Sequence, residues 1–249
     1  MSQESEPTRV SVVTGASRGI GAAVADRLAD LGFAVVGTAQ TPAAADAVAA
    51  RLRARGAEAT GIAVDVADPE AVAQLADAVA DRYPAVDVLI NNAGAVPEAT
   101  APRAPLADPG AVRQTLAVNL AGPMYVTDAL LPLLRNSPAA RIVNVSTRMG
   151  SLAEQDDPAA PFYAMTVPAY QAAKAGLNSL TISLAKLLSD TGIVVTSVCP
   201  GFVRTDLTPA NKDAPLAPEQ AAEVVVRAAT APAGAASGTF VDASGPIRW

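Results

Sequence analysis

Histidine is absent from the 249-residue chain. With it go the commonest metal ligand and every Ser-His or Cys-His catalytic arrangement, leaving Tyr, Lys, Ser, Thr, Asp and Glu to carry any chemistry; no metal site is expected. Cysteine is almost as scarce. Cys199 stands alone, which excludes an intrachain disulfide framework and suits a reducing compartment. Aromatic residues make up only 4% and show no stacking array, and no basic cluster offsets a net charge of −6. Neither nucleic acid nor an anionic membrane surface is therefore an expected partner. No uninterrupted apolar stretch is long enough to span a bilayer. The opening MSQESEPTRV is polar and acidic, without the basic start or apolar core of a secretion signal. Residues 1–8 are expected to form a flexible tail, and the protein to be cytoplasmic.

What is present is apolar: 51% hydrophobic residues against 17% charged, enough for a sizeable core. From Val10 onward, short β-rich runs alternate with Ala/Leu/Val stretches of helical spacing, the pattern of repeated βαβ units on a parallel sheet. Seven strands are expected, in VSVVT, FAVVGTA, ATGIAVDV, VDVLINN, RIVNVS, IVVTSVC and GTFVDA. Their continuous hydrophobicity predicts burial on both faces, and hence a doubly wound α/β sheet with helices on either side. Helices are expected at 20–31, 43–55, 69–82, 109–134, 168–190 and 218–230, with Gly32, Gly56 and Gly192 as stops and Pro69 and Pro218 as starts. The rhythm has no break resembling a linker, so 9–249 reads as one domain.

Three long irregular stretches follow the fourth, fifth and sixth strands, at the edge where open α/β sheets bind ligands. Directly after the first strand comes TGASRGIG, then an apolar helix. Gly15 permits a sharp turn, Gly19 lets backbone approach a ligand, and Gly21 lets the helix pack closely on the sheet, with the helix amino terminus facing a pyrophosphate. Gly15, Ser17, Arg18, Gly19, Ile20 and Gly21 are candidate cofactor contacts. At the end of the second strand an acid would hold the ribose 2′-hydroxyl of NAD(H), whereas a base would accept the 2′-phosphate of NADP(H). GTAQT, with Gln40, has no acid, and Arg18 can reach that phosphate, so NADP(H) is favoured and NAD(H) remains possible. Asp65 and Val66 end the third strand, where a carboxylate can accept from the adenine amine; Asp65 can equally cap the next helix.

Only three lysines occur, Lys174, Lys186 and Lys212. One of them, in YQAAK, follows Tyr170 by four residues, which places phenol and ammonium on one helix face. A phenol titrates near ~10, too high for a neutral-pH base, and a nearby ammonium together with an oxidised nicotinamide would favour the phenolate.

With TGASRGIG, NNAG, VNL, YQAAK and CPGFVRTDL in order from about Val10 to the C-terminus, the chain resembles the short-chain dehydrogenase/reductase family of classical type, and within it the carbonyl-reductase-like members. The resemblance implies a single-domain Rossmann-type doubly wound parallel sheet and an Asn, Ser, Tyr, Lys catalytic set. Tyr170 corresponds to the general acid/base, Lys174 to the lysine that tunes it and holds the nicotinamide ribose, and Asn119 to the helix residue supporting a water beside that lysine. Asn91, Asn92, Ala93 and Gly94 correspond to the cofactor-lining strand end, and Pro200, Gly201, Val203 and Thr205 to the nicotinamide pocket. The family's serine is replaced: NVSTRMG puts Thr147 at that position, with Ser146 in reserve. The implied activity is NADP(H)-dependent reduction of a ketone or aldehyde, or the reverse oxidation of an alcohol, on a small to medium, partly hydrophobic substrate. A homodimer or homotetramer is expected. The alternative, a catalytically weak nucleotide-binding regulatory protein, rests on the threonine. Phe162, Tyr163 and Met165, in a long loop before Tyr170, can form a substrate wall or merely pack that loop down.

Overall fold

The computed structural model describes residues 8–100 and 108–249. The expected tail at 1–8 lies almost wholly outside the described residues, as does part of the loop after the fourth strand. Within the described residues eight strands form one sheet: β1 (Val10–Val13), β2 (Ala34–Ala39), β3 (Ala59–Ala63), β4 (Val88–Asn91), β5 (Arg141–Val145), β6 (Val194–Val198), β7 (Thr239–Asp242) and β8 (Gly245–Pro246). Their order is β3-β2-β1-β4-β5-β6-β7-β8. The seven expected runs become seven parallel strands. The unexpected β8 is a two-residue antiparallel edge, reached through a turn in which Asp242 Oδ1 accepts from the backbone of Ser244 and Gly245. The chain winds outward from β1 to β3, then returns to place β4 beside β1. That reversal leaves a crevice at the carboxyl ends of β1 and β4.

Among the described residues, eight α-helices accompany the sheet: α1 (Gly19–Asp30), α2 (Pro42–Ala54), α3 (Pro69–Ala80), α4 (Pro109–Leu116), α5 (Gly122–Arg135), α6 (Leu152–Gln155), α7 (Pro168–Leu187) and α8 (Pro218–Ala229). The stops behave as their composition requires. Gly32, Gly56 and Gly192 have φ of +81°, +84° and +74°, a region costly for any residue with a Cβ. Asp68, one residue before Pro69, caps α3 by accepting from Glu70 and Ala71. The expected helix at 109–134 is instead three pieces, because a π-helical segment, Ala117–Ala121, separates α4 from α5. Together they form the one helix among the described residues long and apolar enough to cross a bilayer, whereas the sequence reading found no such stretch. Val118, Val126, Leu130 and Leu134 put it in the core.

Successive strand residues feed opposite sides, which is why the strands read as continuous apolar runs. Val12, Leu89 and Ile142 pack with Leu75 of α3 and Leu130 of α5, while Val13, Ile90 and Val143 pack with Leu28 of α1, Leu52 of α2 and Val225 of α8. Each such side chain contributes about 1.5–3 kcal/mol by leaving water. One polar row interrupts the first of these layers. Asn91 Nδ2 donates to Thr127 Oγ1 (3.1 Å) and Asn144 Oδ1 (2.9 Å), Asn144 Nδ2 donates to Thr181 Oγ1 (2.8 Å), and Thr181 and Ser197 share a hydroxyl bond of 2.8 Å. All five side chains are buried, so each bond spares a group the cost of lying unpaired.

Candidate active site

The glycine turn sits at the β1 end of the crevice. Gly15 and Gly19 have φ of +67° and +57°. A Cβ on Gly21 would lie 2.2 Å from the Gly15 carbonyl oxygen and 2.4 Å from Asn92 Nδ2, so this glycine fits the helix against the turn itself and not, as expected, against the sheet. Thr14 and Asn92 tie the turn to β4. Thr14 Oγ1 accepts from the backbone of Asn92 and Ala93, and Asn92 Nδ2 donates to the carbonyls of Thr14 and Gly15. No side chain caps α1 and no acid occupies its first turn, so its leading N–H groups face the crevice end of the fold without a protein acceptor. A glycine cradle at an uncapped helix start is what a dinucleotide pyrophosphate requires.

Around this turn Ser17, Arg18 and Gln40 are exposed, and Ile20 is half-buried against the α1 core. Arg18 lies 3.7 Å from Asp206, an ion pair open to solvent. Asp65 is exposed and accepts from Ala67; since Asp68 is the true cap of α3, Asp65 is left at the strand end. Val66 is buried beneath Gly122. Ala93 is half-buried and Gly94 exposed. Asn91 is buried: its amide nitrogen belongs to the polar row between β4 and β5, and the residue lines a small recess with Thr14, Val66, Ala93 and Gly122. After β6, Pro200 is half-buried and Gly201 exposed, while Val203 is buried and bridged to Leu216. Thr205 reaches over the glycine turn, its Cγ2 within 3.1 Å of where a Gly19 Cβ would stand.

The catalytic candidates gather across the crevice. Lys174 is 4% exposed and its Nζ donates to Val145 O at 2.7 Å, which fastens α7 to the end of β5 two residues before Thr147. The same Nζ lies 5.8 Å from the Tyr170 ring centroid. Burial pulls Lys174 down to about 8. Tyr170 moves the opposite way from the expected drift towards phenolate: burial first, and nearby Cys199 second, push the phenol well above its usual value. The reason is geometric, since the ammonium is bonded to a carbonyl and is not in contact with the hydroxyl. Thr147 is half-buried; its Oγ1 accepts from Met149 N at 3.3 Å, leaving the hydroxyl proton free to be donated. Ser146 is buried and its Oγ has no partner. The side chain of Asn119 is fully engaged: both its amide protons are committed, to Ala95 O (2.7 Å) and Thr115 O (2.9 Å), while its oxygen accepts from Ala95 N. In the loop before α7, Phe162 and Tyr163 line a shallow recess with Arg148, Met149 and Gln171, and Met165 is exposed.

A family model for short chain dehydrogenases matches residues 9–215. The chain belongs to the short-chain dehydrogenase family. Among its relatives is a 3-oxoacyl-[acyl-carrier-protein] reductase of Synechocystis sp., 37% identical over 238 residues, 91% of each chain. A cis-4-hydroxycyclohexanecarboxylate dehydrogenase of Sinomonas cyclohexanicum is 37% identical over 217 residues, 85% of this chain and 81% of the relative. A solved blue fluorescent protein from a metagenomic library, in complex with NADPH, superposes with a TM-score of 0.81 at 27% identity, over 96% of this chain and 97% of that one. This short-chain dehydrogenase is an oxidoreductase of that type, on the family's fold. Two features of it escaped sequence reading. Arg148 pairs with Asp242 at 2.6 Å and with Glu154, bracing the turn after Thr147. Glu98 bonds the start of α7. Both are contacts between distant segments with no local pattern. The polar row had a visible sign, an asparagine between the two valines of RIVNV.

Proposed function

We propose that this short-chain dehydrogenase reduces a ketone or aldehyde with NADPH, and oxidises the corresponding alcohol in reverse. The observation that carries the reading is the fastening of Lys174 to Val145 O, which brings the Tyr170 turn of α7 and the Thr147 end of β5 to the same sheet edge as the glycine turn. When bound there, the cofactor supplies the hydride. Thr147 donates a hydrogen bond from its free hydroxyl to the substrate oxygen and orients the carbonyl. Tyr170 holds its own proton at neutral pH, as its raised value requires, and releases it to the same oxygen as negative charge develops. Burial makes the resulting phenolate costly. Lys174, charged below about pH 8, lowers that cost through its field and can donate to the ribose. Arg18, with Gln40 in place of an acid, favours the 2′-phosphate. The substrate is read as a small to medium, partly hydrophobic carbonyl compound; the relatives include a 3-oxoacyl-[acyl-carrier-protein] reductase and a cis-4-hydroxycyclohexanecarboxylate dehydrogenase.

The deciding experiment is Tyr170→Phe, assayed by NADPH consumption over aldehydes, diketones, acyl β-ketones and polycyclic ketones. The turnover number should fall about 10²–10⁴-fold while NADPH affinity, read by fluorescence titration, stays close to the parent. Near-parental turnover on a confirmed substrate would remove the acid role and favour a regulatory nucleotide binder. We also place the enzyme in the cytoplasm as a homodimer or homotetramer. Leu116, Met124 and Tyr125 of the α4–α5 helix and Leu187 of α7 are exposed apolar side chains suited to a twofold contact. A monomer mass by light scattering at micromolar concentration would refute the assembly.

A further inference from the structure

We propose that Glu98 is a positioning residue for Tyr170, its carboxylate capping α7 from the loop after β4 and holding in place the turn that carries the phenol. An α-helix leaves its first N–H groups without internal partners. In α7, Pro168 has no N–H to satisfy, and Val167, at the capping position, has no side chain that can accept one. The next two donors are Ala169 N and Tyr170 N. They bond to separate oxygens of Glu98, at 3.0 Å and 2.8 Å. The cap is therefore bidentate, carries the charge that suits a helix amino terminus, and comes from 71 residues upstream of Ala169.

Glu98 is itself held. It lies in the 3-10 turn Pro97–Ala99, three residues after Ala95, whose N–H and carbonyl are both bonded by Asn119. An unbroken run of hydrogen bonds and short backbone thus leads from Asn119 in the π-helical segment to the backbone of Tyr170. This gives Asn119 a part in the site that does not involve water. The two members of the Tyr170/Lys174 pair differ in their need for such support. Lys174 is one turn inside the helix, its backbone packed so tightly on Gly150 that a Cβ there would stand 2.7 Å from the Lys174 carbonyl carbon. Tyr170 is in the first turn, where helices fray. Without the carboxylate, Tyr170 is the residue that drifts.

The proposal rests on the reading of Tyr170 as the acid/base, so its test has a readout independent of turnover: amide hydrogen exchange at Ala169 and Tyr170. Glu98→Ala removes both bonds. Glu98→Gln keeps the length but offers one acceptor and turns a donor towards the second amide. Exchange at these two amides should quicken at least tenfold in the Ala variant and severalfold in the Gln variant, with residues 177–187 unchanged. The turnover number should fall in the order parent, Gln, Ala, by about tenfold or more at the end of the series, while NADPH affinity stays within twofold. Should the Ala variant fail to fold, the Gln variant decides alone through its exchange and its turnover. Unchanged exchange at Tyr170 in the Gln variant overturns the proposal, as does a fall in cofactor affinity that matches the fall in turnover. If exchange quickens and turnover does not move, the cap is structural and the positioning role is refuted. Failure of the acid/base reading itself is recognised separately, by an active Tyr170→Phe.

Discussion

The two sides of the crevice are built by different means. The cofactor side, around β1, is made of backbone: two glycines at positive φ, a third with no room for a methyl group, and a helix start left uncapped. The substrate side, at the ends of β5 and α7, is made of side chains that reach across the fold: Lys174 to Val145, Glu98 to α7, Arg148 to Asp242. A backbone cradle depends on residue type at fixed local spacing. A side-chain scaffold depends on partners brought together only by folding. The first side should therefore be brittle to small steric changes, and the second to changes of charge.

The sharpest break in the cofactor side is Gly21→Ala. Its Cβ would meet the Gly15 carbonyl at 2.2 Å, and backbone cannot yield as a flexible side chain does. An overpacking cost of about 3 kcal/mol or more is expected, reducing NADPH affinity by at least ~100-fold in a fluorescence titration. Affinity within tenfold of the parent would show the cradle to be more forgiving than its spacing implies.

On the other side, Lys174 offers a smaller effect with a defined sign. Its folded value of about 8 lies below the ordinary lysine value, so between the two the unfolded chain holds a proton that the folded chain has released, and stability rises with pH. Below about pH 8 both states are charged and the burial cost is fully present. Relative to Lys174→Met, the parent should gain on the order of 2 kcal/mol in urea unfolding as pH goes from 7.5 to 10. A difference that stays flat across that window would sink the buried-ammonium account. Tyr170, raised instead, acts only above the ordinary phenol range, where the folded chain keeps a proton the unfolded chain has lost and stability falls.

The mildest probe tests the arginine of the glycine turn. Arg18 is exposed and only loosely paired with Asp206, so Arg18→Ala should leave stability nearly unchanged and weaken NADPH about tenfold, ~1.4 kcal/mol, with little effect on NADH. Equal losses for both cofactors would assign Arg18 to the pyrophosphate or to the Asp206 pair.

This division also explains what could be read from the sequence. The seven parallel strands, the helix stops at Gly32, Gly56 and Gly192, and TGASRGIG were legible because each is enforced within a few residues. Three things were not. The π-helical segment at Ala117–Ala121 interrupts a stretch whose periodicity reads as one helix, and it accompanies an Asn119 whose side chain is spent on Ala95. The place of Asn91 in the polar row depends on which face of β4 meets Asn144, a matter of register between strands. The raised phenol of Tyr170 reflects its burial and the nearby Cys199, which the spacing of YQAAK does not encode.

The polar row from Asn91 through Asn144 and Thr181 to Ser197 constrains how such a chain can diverge. Neighbouring members supply one another's partners, so an apolar replacement at Asn91, Asn144 or Thr181 strands a buried neighbour at a cost of about 1–3 kcal/mol, a large share of a domain's whole stability. An all-apolar layer of equal volume is a stable destination, yet every single step towards it passes through a less stable chain. Change in the row is therefore least costly as a block, whereas the alanine-rich helix surfaces around it can change one residue at a time.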